Sequence, residues 1–129
     1  MGGLELTFED VNSKPLKPKA SIYKDGKLGF DSDGAEFLDL EEGQEFAVAS
    51  LPEEVEKALV LVPAKREHPS DSVKEVRRAG DYYNLPLRDF FDRKEVPYKK
   101  LKIKYNIEKV EEDGETAFIL RADGEHAKR

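Results

Sequence analysis

Two stretches of the chain carry a similar residue pattern, and a duplicated unit would limit the folds that the chain can adopt. The alternative is that any two βαββ stretches look alike once their apolar residues are aligned. Each copy begins near a glycine and contains an aromatic or apolar pair, an alternating stretch and a closing apolar run. The first copy contains Gly26-Lys27-Leu28-Gly29-Phe30, Phe37-Leu38, Leu40, Phe46-Ala47-Val48 and Ala58-Leu59-Val60-Leu61. The second copy contains Gly80-Asp81-Tyr82-Tyr83, Phe90-Phe91, Val96, Leu101-Lys102-Ile103-Lys104-Tyr105 and Ala117-Phe118-Ile119-Leu120. A unit this small cannot bury a core alone, so the pattern predicts two units that share one core.

The strands are predicted from alternation and from turn residues. Asp25-Gly26 favours a tight hairpin after the strand that begins at Ser21. The run from Ala58 to Val62 is apolar on both faces, which is typical of a central strand. The run from Leu101 to Ile107 alternates apolar and polar residues, and Asp113-Gly114 then favours another hairpin.

One short helix is predicted in each copy. In the first, Asp31-Ser32-Asp33 supplies candidate helix caps, Asp33 and Glu36 have the spacing of a capping box, and Glu42-Gly43 is expected to end the helix. In the second, Pro86 suits a first helical turn, an aromatic pair supplies the apolar face, and Pro97 stops the helix.

The flanking segments complete an organisation into one compact domain. Leu4, Leu6 and Phe8 alternate with polar residues and predict a strand, whereas few sizeable apolar residues follow Lys65 before the second copy. The predicted parts are an N-terminal strand and linker (1–20), a first βαββ-like unit (21–64), a polar connection (65–79), a second βαββ-like unit (80–122) and a flexible tail (123–129). The predicted fold class is α+β, mostly antiparallel β, with a barrel-like sheet core from two βαββ-like repeats and two short helices.

Composition excludes several classes of protein. Charged residues make up 39% of the chain, and the net charge of −6 argues against indiscriminate nucleic-acid binding while leaving room for a local basic face. The absence of cysteine excludes disulfides and thiolate chemistry and fits a cytoplasmic protein. No signal peptide is visible, and the longest apolar run, Ala58 to Val62, is far too short to cross a bilayer.

No arrangement of catalytic or ligand-binding residues is visible. His68 lies in the polar connection and His126 in the tail, where no second group is expected to orient them. Carboxylates fall in predicted turns, Asp31-Ser32-Asp33-Gly34 has only the beginning of a Ca²⁺ loop, and no glycine-rich phosphate loop is present. We therefore expect a non-enzymatic protein with no cofactor, no metal site and no catalytic residue.

Basic residues of the second copy and of the first hairpin are the candidate binding residues. They are Lys24, Lys27, Arg88, Lys99, Lys100, Lys102 and Lys104. A stripe of lysines along one strand can follow the phosphates of a nucleic acid. Lysine also protects sheet edges and solvates surfaces, and the sequence leaves both interpretations open.

The stretch from Ser21 to Ala49 resembles the swapped-hairpin module of the AbrB/MazE/SpoVT family. The matching residues are Gly26-Lys27, Leu28, Phe30, Phe37-Leu38, Leu40, Gly43, Phe46 and Val48, and residues 80–122 are similar to a degenerate second copy. The chain departs from the family pattern at Asp31, where a proline is usual, and at Gln44, where the corner aspartate stands. The resemblance implies a β-barrel assembled from two such units, commonly by dimerisation, and often a DNA-binding regulator or an antitoxin.

Two functions follow as expectations. The first is an AbrB-like DNA-binding transcriptional regulator of the bacterial cytoplasm, active as a monomer or homodimer, with no membrane partner. The alternative is a protein–protein interaction module, such as an antitoxin or an assembly adaptor, whose acidic surface binds a basic partner without nucleic acid.

Overall fold

A computed structural model describes residues 3–12, 15–51, 58–123 and 126–129 of the chain. The described residues form helices α1 (Ser32–Leu38) and α2 (Arg88–Arg93) and a 3₁₀ turn at Ser70–Ser72. The strands are β1 (Lys19–Ile22), β2 (Lys27–Phe30), β3 (Glu45–Ala49), β4 (Ala58–Pro63), β5 (Val73–Glu75), β6 (Arg77–Ala79), β7 (Tyr82–Pro86), β8 (Leu101–Lys102), β9 (Lys104–Glu112), β10 (Glu115–Ala122) and β11 (Ala127–Lys128).

Most strands form one antiparallel sheet that nearly closes into a barrel. Their order is β5-β3-β4-β10-β9-β1-β2-β7-β6, with β8 and β11 paired separately. The two ends of the sheet, β5 and β6, are separated in the chain by Val76, whose side chain is buried. The Val76 N–H donates to the Gln44 carbonyl at 2.7 Å, so this residue links the two ends of the sheet. The predicted fold class, α+β with a barrel-like antiparallel core and two short helices, is confirmed.

The two halves of the chain interleave around the barrel. The hairpins β1–β2 and β3–β4 come from the first half, and β6–β7 and β9–β10 come from the second. Hairpins of the two halves alternate around the sheet, because β2 pairs with β7, β3 with β5, β4 with β10 and β1 with β9. The core is therefore built by both halves, and neither could close the sheet alone.

Each helix lies at one end of the barrel. Helix α1 lies where β2 ends and β3 begins, the α1 end, and Phe37 packs edge-on against Phe118 at 6.0 Å between ring centroids. Helix α2 follows β7 at the opposite, α2 end, where Phe91 is fully buried and packs against Tyr98 at 6.1 Å between centroids. The apolar residues of both helices thereby extend the core beyond the sheet.

The segment 65–79 differs from the predicted polar connection. It contains the 3₁₀ turn, β5 and β6, and Val76 is 0% exposed. Residues 73–79 form two short strands where the sequence predicted a connection, although Lys74, Glu75, Arg77, Arg78 and Ala79 are exposed. Strands of three residues leave little alternation to detect, and β5 pairs with β3, which is distant in sequence.

Both termini also differ from the expectations. Leu4 and Phe8 are 91% and 90% exposed, and no strand forms over described residues 3–12, so the predicted N-terminal strand was wrong. The predicted flexible tail was wrong for residues 127–128, which form β11 against β8, while residues 124–125 lie outside the described residues.

Helix α1 begins at one of the candidate caps and ends earlier than predicted. Asp31 is the N-cap in place of the Asp33 capping box, and its carboxylate accepts from the Gly34 N–H at 2.6 Å. The helix ends before Gly43, because Asp39 adopts a left-handed φ of 51°. The Leu40 N–H then donates to the Ala35 carbonyl at 2.9 Å, which buries Leu40 in the core.

Replacing Asp31 by alanine is expected to lower the free energy of unfolding by about 1–2 kcal/mol. The same carboxylate accepts from the Lys19 N–H at 3.2 Å, so the cap also joins α1 to β1. Urea unfolding followed by circular dichroism measures the effect, with Asp31→Asn retaining most of the stability. The control is Glu36→Ala, expected within about 0.5 kcal/mol of the wild type. A larger loss for Glu36→Ala than for Asp31→Ala would contradict this assignment of the cap.

Candidate nucleic-acid interface

Exposed cationic side chains lie together at the α2 end of the barrel. We call this set the basic face. It comprises the predicted residues Lys24, Lys27, Arg88, Lys99, Lys100, Lys102 and Lys104, together with Lys128, and all are exposed. The β1–β2 turn, the start of α2, the connection from α2 to β8 and the strands β8, β9 and β11 supply them. Elements distant in sequence thus meet at one end of the fold.

The β1–β2 turn packs directly against the start of α2. Gly26 has a φ of +89°, and a Cβ built on it would lie 2.5 Å from the Arg88 Cβ and 2.7 Å from the Arg88 Cα. The turn is closed by the Gly26 N–H, which donates to the Tyr23 carbonyl at 2.9 Å. Between the two elements lies a cleft of about 340 Å³ lined by Asp25, Lys27, Lys74, Pro86, Arg88 and Asp89. This packing fixes Lys27 and Arg88 on opposite walls of one cleft.

The C-terminal tail joins the other basic residues to the first hairpin. The Arg129 guanidinium donates to the carbonyls of Ile22 and Tyr98, and the Arg129 N–H donates to the Lys100 carbonyl at 2.9 Å. Pairing of β11 with β8 sets Lys128 opposite Leu101, beside Lys100 and Lys102. Lys128 and Arg129 were not among the predicted residues, because a strand of two residues carries no periodic signal.

The connection that carries Lys99 and Lys100 is anchored by Tyr98. This tyrosine is 1% exposed, and its hydroxyl donates to the Asp92 carboxylate at 2.6 Å. The hydrogen bond to Asp92, together with burial, raises the pKa of Tyr98 above its ordinary value. The hydroxyl therefore remains a donor at neutral pH and holds the connection against α2.

Lysines 102 and 104 lie on the outer side of the barrel wall, as the alternation predicts. Ile103, which lies between the two lysines, and Tyr105, which follows Lys104, are buried. Lys104 stands opposite Ser21 of β1. The Ile22 N–H donates to the Ile103 carbonyl at 3.0 Å, which keeps this strand next to the first hairpin. Lys104 forms the margin of the basic face.

Few carboxylates neutralise the basic face. Among the described residues, Lys27 is the one member of the basic face that has a carboxylate within 4 Å. Its Nζ lies 3.3 Å from the Asp25 carboxylate. Burial opposes ionisation of Asp25, but hydrogen bonds from the backbone and side chain of Lys27 hold its pKa below the ordinary value. Asp89, Asp92 and Glu95 lie on or beside α2 without an ion pair to the basic face in the described part of the chain.

The opposite end of the barrel is acidic. Exposed carboxylates on or near α1 and at the adjoining strand ends are Asp31, Glu36, Asp39, Glu41, Glu42, Glu45, Glu75 and Asp81. Basic residues of that end are partly paired, with Lys65 at 2.9 Å from Glu115 and Arg78 at 4.0 Å from Asp81. The chain has a net charge of −6, and its positive charge is concentrated at the α2 end.

A hydrogen bond orients the His68 imidazole, whereas the sequence predicted that no second group would do so. The Lys65 N–H donates to His68 Nδ1 at 2.9 Å, and the His68 N–H donates to the Lys65 carbonyl at 3.0 Å. The imidazole thus closes a turn beside an open cleft of about 570 Å³, which Glu45 and Glu75 also line. The described residues contain no group of three or more side chains suited to hold a metal ion.

Comparison of the chain with protein-family models, with curated proteins and with solved structures finds no match. The resemblance to the AbrB/MazE/SpoVT module therefore stays a prediction. No helix among the described residues has the length and apolar character needed to cross a membrane.

Proposed function

We propose that the protein is a non-enzymatic, cytoplasmic DNA-binding protein that contacts the phosphate backbone through the basic face, in the manner of an AbrB-like regulator. The proposal rests on one observation. The basic residues singled out in the sequence lie at the same end of the barrel, and most have no carboxylate within 4 Å among the described residues.

The charge distribution favours a polyanion over other ligands. Unpaired, exposed lysines gain most from phosphates, because their binding releases condensed counterions from the nucleic acid. The acidic α1 end would orient the protein with its α2 end toward the duplex. Phosphate contacts position a protein without reading sequence, so the basic face accounts for affinity and not for base specificity.

The test is binding to mixed-sequence duplex DNA as a function of salt. At about 50 mM salt we expect a retarded complex whose affinity falls steeply as salt rises. The variant Lys100→Gln/Lys102→Gln should bind more weakly and lower the slope of log affinity against log salt by about 2. The matched control is Lys17→Gln/Lys109→Gln, two exposed lysines outside the basic face, which should leave the slope unchanged. Absence of any complex at about 50 mM salt would overturn the proposal.

A protein–protein interaction module is the second candidate, and the N-terminal segment favours it. Leu4, Leu6, Phe8 and Val11 are all more than half exposed, and the acidic residues Glu5, Glu9 and Asp10 lie among them. Purification of bound proteins from host lysate, with and without nuclease, distinguishes the candidates. A partner retained after nuclease and lost when residues 1–12 are deleted supports the interaction module, whereas a partner lost with nuclease supports DNA binding.

A further inference from the structure

Asn84 of β7 carries a buried polar atom without a partner. The residue is 5% exposed, and no hydrogen bond reaches its Oδ1 in the described part of the chain. Buried acceptors are nearly always paired, because an unpaired one has lost its hydrogen bonds to water and gained none in return. An unpaired amide of this kind points to a donor that comes from another molecule.

The Asn84 side chain belongs to the outer face of the barrel wall. Its neighbour Leu85 is 0% exposed and stands opposite Leu28 in the core. Successive side chains of a strand alternate between the two faces of a sheet, so Asn84 and its cross-strand partner Gly29 lie on the outer face. The register extends this line across five strands. We call it the outer row, and its members are Lys104 of β9, Ser21 of β1, Gly29 of β2, Asn84 of β7 and Arg77 of β6.

The ring of Tyr23 lies in the middle of the outer row. Gly29 has no side chain, and a Cβ built on it would lie 2.0 Å from both Cζ and Oη of Tyr23. We call the space in front of Gly29, which the ring fills, the Gly29 slot. Cβ positions that face each other on paired strands are about 5 Å apart, so the slot adjoins the Asn84 side chain. The Tyr23 hydroxyl does not donate to Asn84, so the slot holds a flat ring that leaves the neighbouring acceptor unpaired.

The Tyr23 ring can leave the Gly29 slot without opening the core. Tyr23 follows the last residue of β1 and is 38% exposed. Its N–H donates to the Lys27 carbonyl at 2.8 Å, and its carbonyl accepts from the Gly26 N–H at 2.9 Å. Rotation of an exposed side chain is fast and leaves these backbone hydrogen bonds in place. The slot is therefore accessible to another flat ring.

Positive charge stands at both ends of the outer row. Lys104 and Arg77 are exposed, and neither has a carboxylate within 4 Å in the described part of the chain. Four strand spacings of about 4.8 Å separate them, so they lie at most about 19 Å apart across the wall. A flat slot with an unpaired acceptor is thus flanked by two cations without partners.

We propose that the Gly29 slot binds an unpaired base of a single-stranded nucleic acid, with adenine preferred. The base takes the place of the Tyr23 ring in front of Gly29, and the Asn84 amide contacts the edge of the base. An asparagine amide matches adenine, because Oδ1 accepts from the N6 amino group while Nδ2 donates to N7. Lys104 and Arg77 contact phosphates on the two sides of the base.

The Gly29 slot requires a single strand. A base can lie flat against Gly29 only if its face is free, and the bases of a duplex are stacked on one another. The slot adjoins the basic face at Lys104, but it is a separate site from the proposed contact with duplex DNA. Either site can therefore fail in experiment while the other holds.

The first test is fluorescence anisotropy with labelled single strands of about 12 nucleotides at about 50 mM salt. Oligo(dA) is expected to bind at least about tenfold more tightly than oligo(dT). Adenosine monophosphate should compete only weakly, because it lacks the phosphate on one side of the base; competition as strong as that of oligo(dA) would overturn the role of the strand. No complex with oligo(dA) at about 100 µM protein would overturn the proposal, whether or not duplex DNA binds.

The second test changes the Gly29 slot itself. Gly29→Ala places a methyl group in the slot, and the nearest atoms that must move belong to the far end of the Tyr23 side chain. The variant should therefore fold and bind oligo(dA) at least about tenfold more weakly. Tyr23→Ala empties the slot and should bind oligo(dA) at least as tightly as the wild type. Weaker binding by Tyr23→Ala would overturn displacement of the ring by the base.

Asn84→Leu tests the amide and does not depend on the folding of Gly29→Ala. Removing an unpaired buried acceptor should raise the melting temperature, while the preference for oligo(dA) over oligo(dT) should disappear. A purely structural role of Asn84 would leave that preference unchanged, and this result would overturn the proposed contact. The matched control is Asn106→Leu, an exposed amide on the outer face of β9 outside the outer row, which should keep the preference.

Discussion

Replacing Phe91 by alanine is expected to lower the free energy of unfolding by about 3–5 kcal/mol. Phe91 is 0% exposed and packs against Phe90 at 5.6 Å and Tyr98 at 6.1 Å between ring centroids. The substitution removes a whole ring from the end of the core and leaves a cavity that a helix of six residues, α2, cannot refill by small shifts. Urea unfolding followed by circular dichroism measures the loss.

The control for this prediction is Tyr82→Ala. Tyr82 is 62% exposed, so removing its ring should change the free energy of unfolding by no more than about 0.5 kcal/mol. Because Tyr98 anchors the connection that carries Lys99 and Lys100, Phe91→Ala should also weaken DNA binding if the basic face acts as proposed. A stability loss below about 1 kcal/mol would show that α2 does not pack on the core as described.

Replacing Gly26 by alanine is expected to cost about 2–5 kcal/mol of unfolding free energy from two sources. The residue has a φ of +89°, which an L side chain adopts at a cost. Its new Cβ would also lie 2.5 Å from the Arg88 Cβ and 2.7 Å from the Arg88 Cα, so the turn or the start of α2 must move. Swinging the arginine side chain aside cannot relieve a contact that includes backbone.

Gly43→Ala separates the two contributions. Gly43 has the same φ of +89°, but a Cβ built there meets no atom within 4 Å. Its replacement should therefore cost only the backbone term, about 1–2 kcal/mol. The difference between the two variants in chemical denaturation measures the contact between the first hairpin and α2. Equal losses would contradict that contact.

Several parts of the fold could be predicted because their signals are local. Asp25-Gly26 predicts its hairpin, and the alternation from Leu101 to Ile107 correctly separates buried Ile103 and Tyr105 from exposed Lys102 and Lys104. Ala58 to Val62 is a central strand, between β3 and β10. These features depend on residues that are adjacent in the chain.

The candidate site was predictable as a set of residues and not as a surface. Lys24 and Lys27 belong to the first hairpin, and Lys99 to Lys104 follow it by more than seventy positions in the sequence. Their proximity depends on pairing of β1 with β9 and on the hydrogen bonds of Arg129 to Ile22 and Tyr98. No local pattern encodes those contacts.

The sequence by itself predicted a mostly antiparallel core with two short helices, since turn residues and period-two alternation act over a few neighbouring residues. The tertiary structure decided how the halves interleave, where Val76 closes the barrel and which lysines become neighbours. Pairing between distant strands decided these features, and the stability of such pairing depends on partners rather than on propensity. That is why β5 formed in the predicted polar connection and β11 in the predicted flexible tail, while the alternating segment at Leu4, Leu6 and Phe8 stayed outside the sheet.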